Sequence, residues 1–591
     1  MPKEEKRNCQ NCHGEFLIDA SDFEFYSKIK VPPPTFCPQC RLQRRLVQYN
    51  ERVLYTRMCD ACGKKIISRY PADSIMPVYD HACWQSDAWD ALEYGREYNF
   101  SKSFFEQFYD LLKAVPVSAT INVGSTGCDY CGCVLNCKNC YLSFANSCED
   151  SAYVFGHKII DSCDVTLGLE VNQCYAGVNI SQCNGIFFSE QAESSYSSSF
   201  LYDCRNVNNS FLCTGLRNKE YYFLNKPLTK EEYQEKLKEY DLGSYNIWRK
   251  TQETFKNLYL SAPHKYAHIR QSENVTGNNI QQTKNCYMCF DTVRGVEDCK
   301  YISGGGLNLK NSYDVHDSGT NAQYMYESVD IGLNASHMLF SIFCWEGYNI
   351  EYSKDCNNCK NIFGCNGLRN KEYCIFNKQY TKEEYERLVG RIKKQMGEEP
   401  YIGKDGVEYR YGEFFPTEHC QFAYNETMAN DHFPISEDVA LVRGYGWAKK
   451  EHSEESVTLR ASELPDHIRD VRDDIVDQVI ECEHKGQCDE LCNTVYKIIP
   501  MELRFLREKK LALPRFCPSC RQTQRVRRRN PYRLWHRACQ CSGQKSSNGV
   551  YTNTTNHAHG TNPCPNEFET SYAPDRPEIV YCEQCYQAEV V

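Results

Sequence analysis

Cys9-Gln-Asn-Cys12 and Cys37-Pro-Gln-Cys40 set two Cys-x-x-Cys pairs a short loop apart. Each pair is a tight turn that aims two sulfurs at one point. Two such turns supply the four tetrahedral thiolates that Zn²⁺ prefers. A second copy stands 480 residues on, where Cys12, Cys37, Cys40 and Cys59 correspond to Cys492, Cys517, Cys520 and Cys539. Arg41/Arg521, Arg45/Arg525, Asn50/Asn530 and Arg57/Arg537 keep the same offset, so the module is duplicated. The counterpart of Cys9 is Asp489, with a thiol one residue earlier. The expected second set is therefore Cys488, Cys492, Cys517 and Cys520, with Cys482 and His484 as substitutes.

Each module runs into further ligands. Cys59, Cys62, Cys83 and His81 can close another site after the first module. After the second, Cys541, Cys564, Cys582 and Cys585 are the expected set, with Cys539 the competing thiol. His557 and His559 read as solvated. The ligand arithmetic predicts about four structural Zn²⁺, each fully enclosed by protein donors, which is a structural rather than a catalytic pattern.

Other chemistry is thinner. Cys128, Cys131, Cys133, Cys137 and Cys140 crowd together, as a metal site or, by preference, as buried packing. Asp314-Val-His316-Asp317 is the most tempting acid–base cluster, though one His among acids reads as solvated. Matched fours of cysteine argue against redox pairs, which act singly. No nucleotide loop, nucleophile elbow or zinc-hydrolase helix is present. Arg515 to Arg537 holds eight arginines, including Arg527, Arg528 and Arg529, beside Tyr532 and Trp535. Arginines next to aromatics suit phosphate contact and base stacking, with Trp535 as the stacking candidate. Pairing with acids elsewhere in the chain is the equal alternative.

These residues must be positioned by a chain of 591 residues, 37 of them cysteine, with a net charge of −10. The length implies several domains, and the charge opposes a coat of nucleic acid over the whole surface. A charged start without an apolar run, and no long apolar stretch, predict a cytoplasmic protein with no membrane span. In that reducing setting cysteines bind metal or pack.

Between the modules, residues 120–226 and 275–378 are short β-prone runs broken by Asn, Asp, Ser, Gly and Cys. Cys163, Cys183 and Cys204 recur at 20 and 21 residues, which suggests parallel solenoid coils of that length with cysteines stacked inside. The blocks are copies offset by 152: Phe211-Leu-Cys213-Thr-Gly-Leu-Arg-Asn-Lys-Glu-Tyr221 matches Phe363 to Tyr373. Thr229 and Thr381, each with Glu three residues on, are capping-box starts for helical arms over 229–258 and 381–396. Leu464 to Ile480 spaces its apolar residues for a helix.

The Cys-x-x-Cys…Phe25-Tyr26…Pro33-Pro34-x-Phe-Cys-Pro-x-Cys-Arg pattern resembles a zinc-binding treble-clef domain of many bacterial proteins. The tail from Phe568 to Tyr586 resembles a zinc ribbon found in the same company. With Tyr411-Gly-Glu-Phe-Phe-Pro and Arg443-Gly-Tyr-Gly-Trp447, the whole is similar to a family of long proteins from candidate-phyla bacteria. The resemblance implies architecture and metal rather than a reaction.

The expected fold is mainly β: a duplicated parallel β-helix with helical arms, flanked by treble-clef and zinc-ribbon domains at both termini. Boundaries are expected at 1–58 (treble clef), 59–115 (second zinc module and helical linker), 120–226 (first solenoid block) and 227–274 (arm). They continue at 275–378 (second block), 379–480 (helical and irregular linker), 481–538 (duplicate treble clef) and 539–591 (ribbon). The expected function is a non-enzymatic zinc-binding scaffold or adaptor for a protein or nucleic-acid partner, with no small-molecule cofactor. A β-helix enzyme acting on polysaccharide and a structural part of a virion or ribosome-associated particle are the alternatives.

Overall fold

The computed structural model describes residues 4–50, 52–292, 294–449 and 456–590. The chain forms two compact units: Met1–Thr120 with Ala267–Ala448 and Pro531–Leu534, and Ile121–Tyr266 with Lys449–Asn530 and Trp535–Val591. Each unit therefore combines one solenoid block with the cysteine module from the far end of the chain. No helix among the described residues is long and apolar enough to cross a membrane.

Both blocks are parallel β-solenoids. Successive coils pair Phe144 with Phe155, Tyr196 with Asn208 and Leu307 with Thr320, so one coil takes 11, 12 or 13 residues. The expected 20-residue coil is corrected. Cys183 and Cys204 do point inward, but Cys163 faces outward into a different cluster. The operative period is three. Ser162, Val165, Val171, Cys174, Ile180 and Cys183 are all buried at multiples of three. The residue before each inward position is left-handed, as at Asp164, Gln173, Asn179 and Gln182. Each coil thus has short sides of three residues with a left-handed corner, a conformation Asn and Asp tolerate best after glycine. That is why these blocks are rich in Asn and Asp.

The inward Ser and Cys have a specific task. At such tight corners some inward-facing N–H groups need a side-chain acceptor. Ser162 Oγ accepts from Cys174 N at 3.0 Å, and Ser189 Oγ from Leu201 N at 3.0 Å. Cys128 Sγ accepts from Cys140 N and Cys148 Sγ from Ile159 N in the same way, at 3.3 and 3.2 Å. The cysteines inside are small groups that also satisfy the backbone of the next coil.

The ends of the ladders are closed by asparagine. Asn225 Oδ1 accepts from Thr214 N at 2.8 Å and its Nδ2 donates to Thr214 O at 2.9 Å. Asn377 does the same to Asn366, at 2.9 and 2.8 Å. The side-chain amide replaces the next strand and blunts the edge. Both capping boxes then start helices. The first arm is two helices, Lys230–Leu237 and Tyr245–Ser261, and the second is Lys382–Glu398. Tyr245–Ser261 runs along its solenoid rather than over the end, with Trp248 against Phe188 and Phe255 against Phe200. Both Phe188 and Phe200 are left-handed corners, so burial offsets strain of about 1–2 kcal/mol each.

Leu464 to Ile480 is not an α-helix but two short 3₁₀ turns, Ile468–Asp470 and Asp473–Asp477. Leu464, Ile468, Val471 and Ile475 are buried as the spacing implied. Two of their carbonyls, however, are taken by arginines: Arg515 donates to Leu464 O and Arg507 to Val471 O.

Candidate metal centres

In the first module the hairpin Glu4–Asn8/Glu15–Asp19 carries Cys9 and Cys12 at its turn. Cys37 is the N-cap of the helix Pro38–Leu46, and Cys40 lies in its first turn. The helix N-terminus thereby directs N–H groups and its positive dipole end at the thiols. Cys9, Cys12, Cys37 and Cys40 form one donor group, as expected. Cys12 and Cys37 sulfurs lie 3.7 Å apart, near the edge of roughly 3.8 Å expected for a tetrahedron of thiolates around Zn²⁺. Contacts with the Cys37 and Cys40 thiols hold Cys9 well below the ordinary thiol range.

The duplicate module keeps the helix, Pro518–Arg527 with Cys517 as N-cap, but changes the first ligand. Cys482, Cys492, Cys517 and Cys520 make the tetrad. Cys488 was the expected donor; it belongs instead to a second group with His484, Glu490 and Cys520. Cys482 follows the strand Ile480–Glu481, and its sulfur accepts from Cys517 N at 3.3 Å.

At the C-terminus the tetrad is Cys539, Cys564, Cys582 and Cys585, with Cys539 in the place expected for Cys541. Cys564 lies 3.7 Å from Cys585 and 3.9 Å from Cys582. Contact with the Cys539 thiol draws Cys582 down to about 4. Cys541 joins His557, His559 and Cys585 in an adjoining group. The expectation that both histidines are solvated is corrected: the His557 side chain is 1 % exposed and bound to Glu589. The signal that could have found them is the pairing of His-x-His with the Cys-x-Cys of Cys539 and Cys541.

After the first module the thiols of Cys59, Cys62 and Cys83 meet, and contact with Cys62 pushes Cys83 up to about 11. His81 Nδ1 lies 3.2 Å from Ser118 Oγ. Cys128, Cys131, Cys133, Cys137 and Cys140 are all buried in the first solenoid.

The acid–base candidate resolves into a docking site. Asp314 and His316 are buried rather than solvated. Asp314 binds Arg41 at 2.9 Å and Arg45 at 3.0 Å, both from the module helix. Glu327 binds Arg45 at 3.0 Å. His316 pairs with Ser303, and Asp317 accepts from Tyr49 OH. Burial pushes Glu327 up to about 7, with the arginines opposing.

The basic run is likewise engaged. Arg525 binds Asp164 at 2.6 Å, and Arg521 binds Asp164 at 3.2 Å and Glu502 at 2.7 Å. Of the arginines expected to face nucleic acid, Arg527 pairs with Asp489 and Glu490, Arg528 with Glu190, and Arg529 is buried. Trp535 is half-buried in the strand Trp535–Ala538, paired with Glu567–Thr570. Arg515, Arg521, Arg525 and Arg528 line a cavity of about 110 Å³ with Tyr245 and Trp248. They wall an internal cleft rather than a flat face.

No family model matches the chain, and no curated protein matches it. Among solved structures, one named as an acetyltransferase from Desulfovibrio desulfuricans G20 aligns with 41% of this chain and 64% of its own, at 14% identity and a TM-score of 0.11. At that score the likeness carries no argument about fold or activity.

Proposed function

We propose that this protein is a non-enzymatic scaffold: two rigid solenoids, each clamped by a zinc-filled cysteine module, that present their outer surfaces to a protein partner. The observation that supports it is the use of the charged residues. Asp314, an acid of the acid–base cluster, neutralises two buried arginines of a module helix, and Asp164 does the same in the other unit. Groups so paired are held as structure, and a general acid or base needs reach to a substrate proton. Closed thiolate tetrads fit Zn²⁺ in a structural role. Because Arg527, Arg528 and Arg529 serve intramolecular acids or lie buried, a protein partner is favoured over nucleic acid.

Full-length protein, tagged in its native cell and purified with and without nuclease, tests this. A stoichiometric protein partner that survives nuclease treatment is expected. Recovery of nucleic acid alone, with affinity falling steeply in salt and weakened by Arg527→Glu, would replace the protein-scaffold reading with a nucleic-acid binder. Release of oligosaccharides from a polysaccharide panel would make it an enzyme.

A further inference from the structure

We propose that the C-terminal module is a two-metal centre, in which Cys541, His557, His559 and Cys585 hold a second divalent ion beside that of Cys539, Cys564, Cys582 and Cys585. The Cys585 thiolate bridges the two. The inference deepens the zinc reading above and rests on it for the first ion only.

The donor atoms of the second group all lie within 4.8 Å of one another. Cys541 Sγ is 3.5 Å from His557 Nδ1, and Cys585 Sγ is 3.3 Å from His559 Nε2. With Zn–S near 2.3 Å and Zn–N near 2.0 Å, a tetrahedral ion sets sulfur and nitrogen roughly 3.5 Å apart. Two four-coordinate ions sharing one ligand need seven donors. The module brings seven together: five thiols and two imidazoles.

The histidines are already oriented as ligands. His557 Nε2 lies 2.8 Å from Glu589 Oε1, and His559 Nδ1 lies 2.7 Å from Asn562 O. Each partner can only accept, so each of those nitrogens carries the proton and the opposite nitrogen turns its lone pair to the thiols. A carboxylate or carbonyl behind the ring is the arrangement that fixes metal-binding histidines. Glu589 is itself held by Tyr551 OH at 2.8 Å and Thr554 N at 2.9 Å. On the sulfur side, Asn553 Nδ2 donates to Cys541 Sγ at 3.2 Å, which favours the thiolate. Two separate thiol–imidazole hydrogen bonds would leave the pairs independent, whereas all four donor atoms converge within 4.8 Å of one another, as one ion requires. Both donor sets are complete, so the ions would be structural. They would tie the loop carrying His557 to the terminal helix Glu583–Val590, whose Tyr586 binds Asp203 of the solenoid.

Native mass spectrometry of the full-length zinc-loaded protein counts the ions. The double variant His557→Ala/His559→Ala is expected to carry one ion fewer than wild type, and Cys539→Ser to lose the other. An unchanged count in the double variant overturns the second site. A loss in the double variant with none in Cys539→Ser keeps it and removes the first. Where the double variant loses both ions or fails to fold, cadmium NMR on the wild-type protein decides. Scalar coupling between two cadmium resonances through a shared thiolate supports the bridge, and its absence overturns it.

Discussion

Arg525 Nη1 lies 2.6 Å from Asp164 Oδ1, although 361 residues separate the two along the chain. Arg521, one helical turn earlier, reaches the other carboxylate oxygen at 3.2 Å. In the other unit Arg41 and Arg45 grip Asp314 in the same fashion. One acid at an outward-facing corner of a solenoid coil and two guanidinium groups four residues apart on a module helix thus form a keyed joint, made twice. An uncompensated charge at such a site is costly, so the joint selects the coil on which the helix lands.

Removing the key should therefore be severe. Asp164→Ala leaves Arg521 and Arg525 buried without their shared acid, and a loss of about 3–5 kcal/mol is expected. Adding Arg525→Met should recover part of it. Denaturant unfolding of the three proteins checks this, and a midpoint for Asp164→Ala equal to wild type would refute the joint.

Inside the first solenoid, Cys183 is 2 % exposed and its sulfur donates to Ser181 O at 3.2 Å. Serine fills the inward position stacked on it in the next coil, at Ser195, so Cys183→Ser is expected to be mild. Cys183→Ala should cost about 1 kcal/mol, the worth of one modest hydrogen bond. Cys183→Arg places an unpaired charge within the stack and should prevent folding of that unit. Three similar melting curves would place Cys183 on the surface and contradict the coil register.

The duplicate module offers a test between neighbouring thiols. Cys482→Ser is expected to remove one bound Zn²⁺, and Cys488→Ser to leave the tetrad filled. Metal counts by native mass spectrometry decide it. The reverse result would return the first-ligand role to Cys488.

Lys354 supplies a pH signature. Burial lowers its ammonium from 10.5 to about 8, while Asp355 opposes the shift. Between these values the unfolded chain holds the proton and the folded chain does not, so raising pH through this window favours folding. Below about 8 both states are protonated, and the penalty of the buried charge is constant. Wild type should thus gain stability relative to Lys354→Met as pH rises from 8 to 10.5. Parallel stability curves for the two proteins would show that Lys354 is solvated.

What is local or repeated could be read from the residues alone. A Cys-x-x-Cys knuckle is a turn of four residues, so Cys9, Cys12, Cys37 and Cys40 were legible as one donor set. The offsets of 480 and 152 exposed both duplications, and Thr229 and Thr381 marked their helices because a capping box is closed within four residues. The solenoid was legible as a class but not in its coil length. Its inward residues repeat every third position, a period that neither alternation nor helical spacing describes. How distant pieces close depends on packing across the fold. Cys482 replaces Cys488, and Cys539 replaces Cys541, because the landing point of a long loop is set by packing rather than by spacing. His557 is a buried, oriented imidazole because Glu589, 32 residues away, folds back against it. The arginines of 515–529 carry the composition of a phosphate-binding run. Asp164, Glu190 and Glu502 reach Arg521, Arg525 and Arg528 first, because a buried cation is stable only beside its counter-charge and those acids arrive from other parts of the chain.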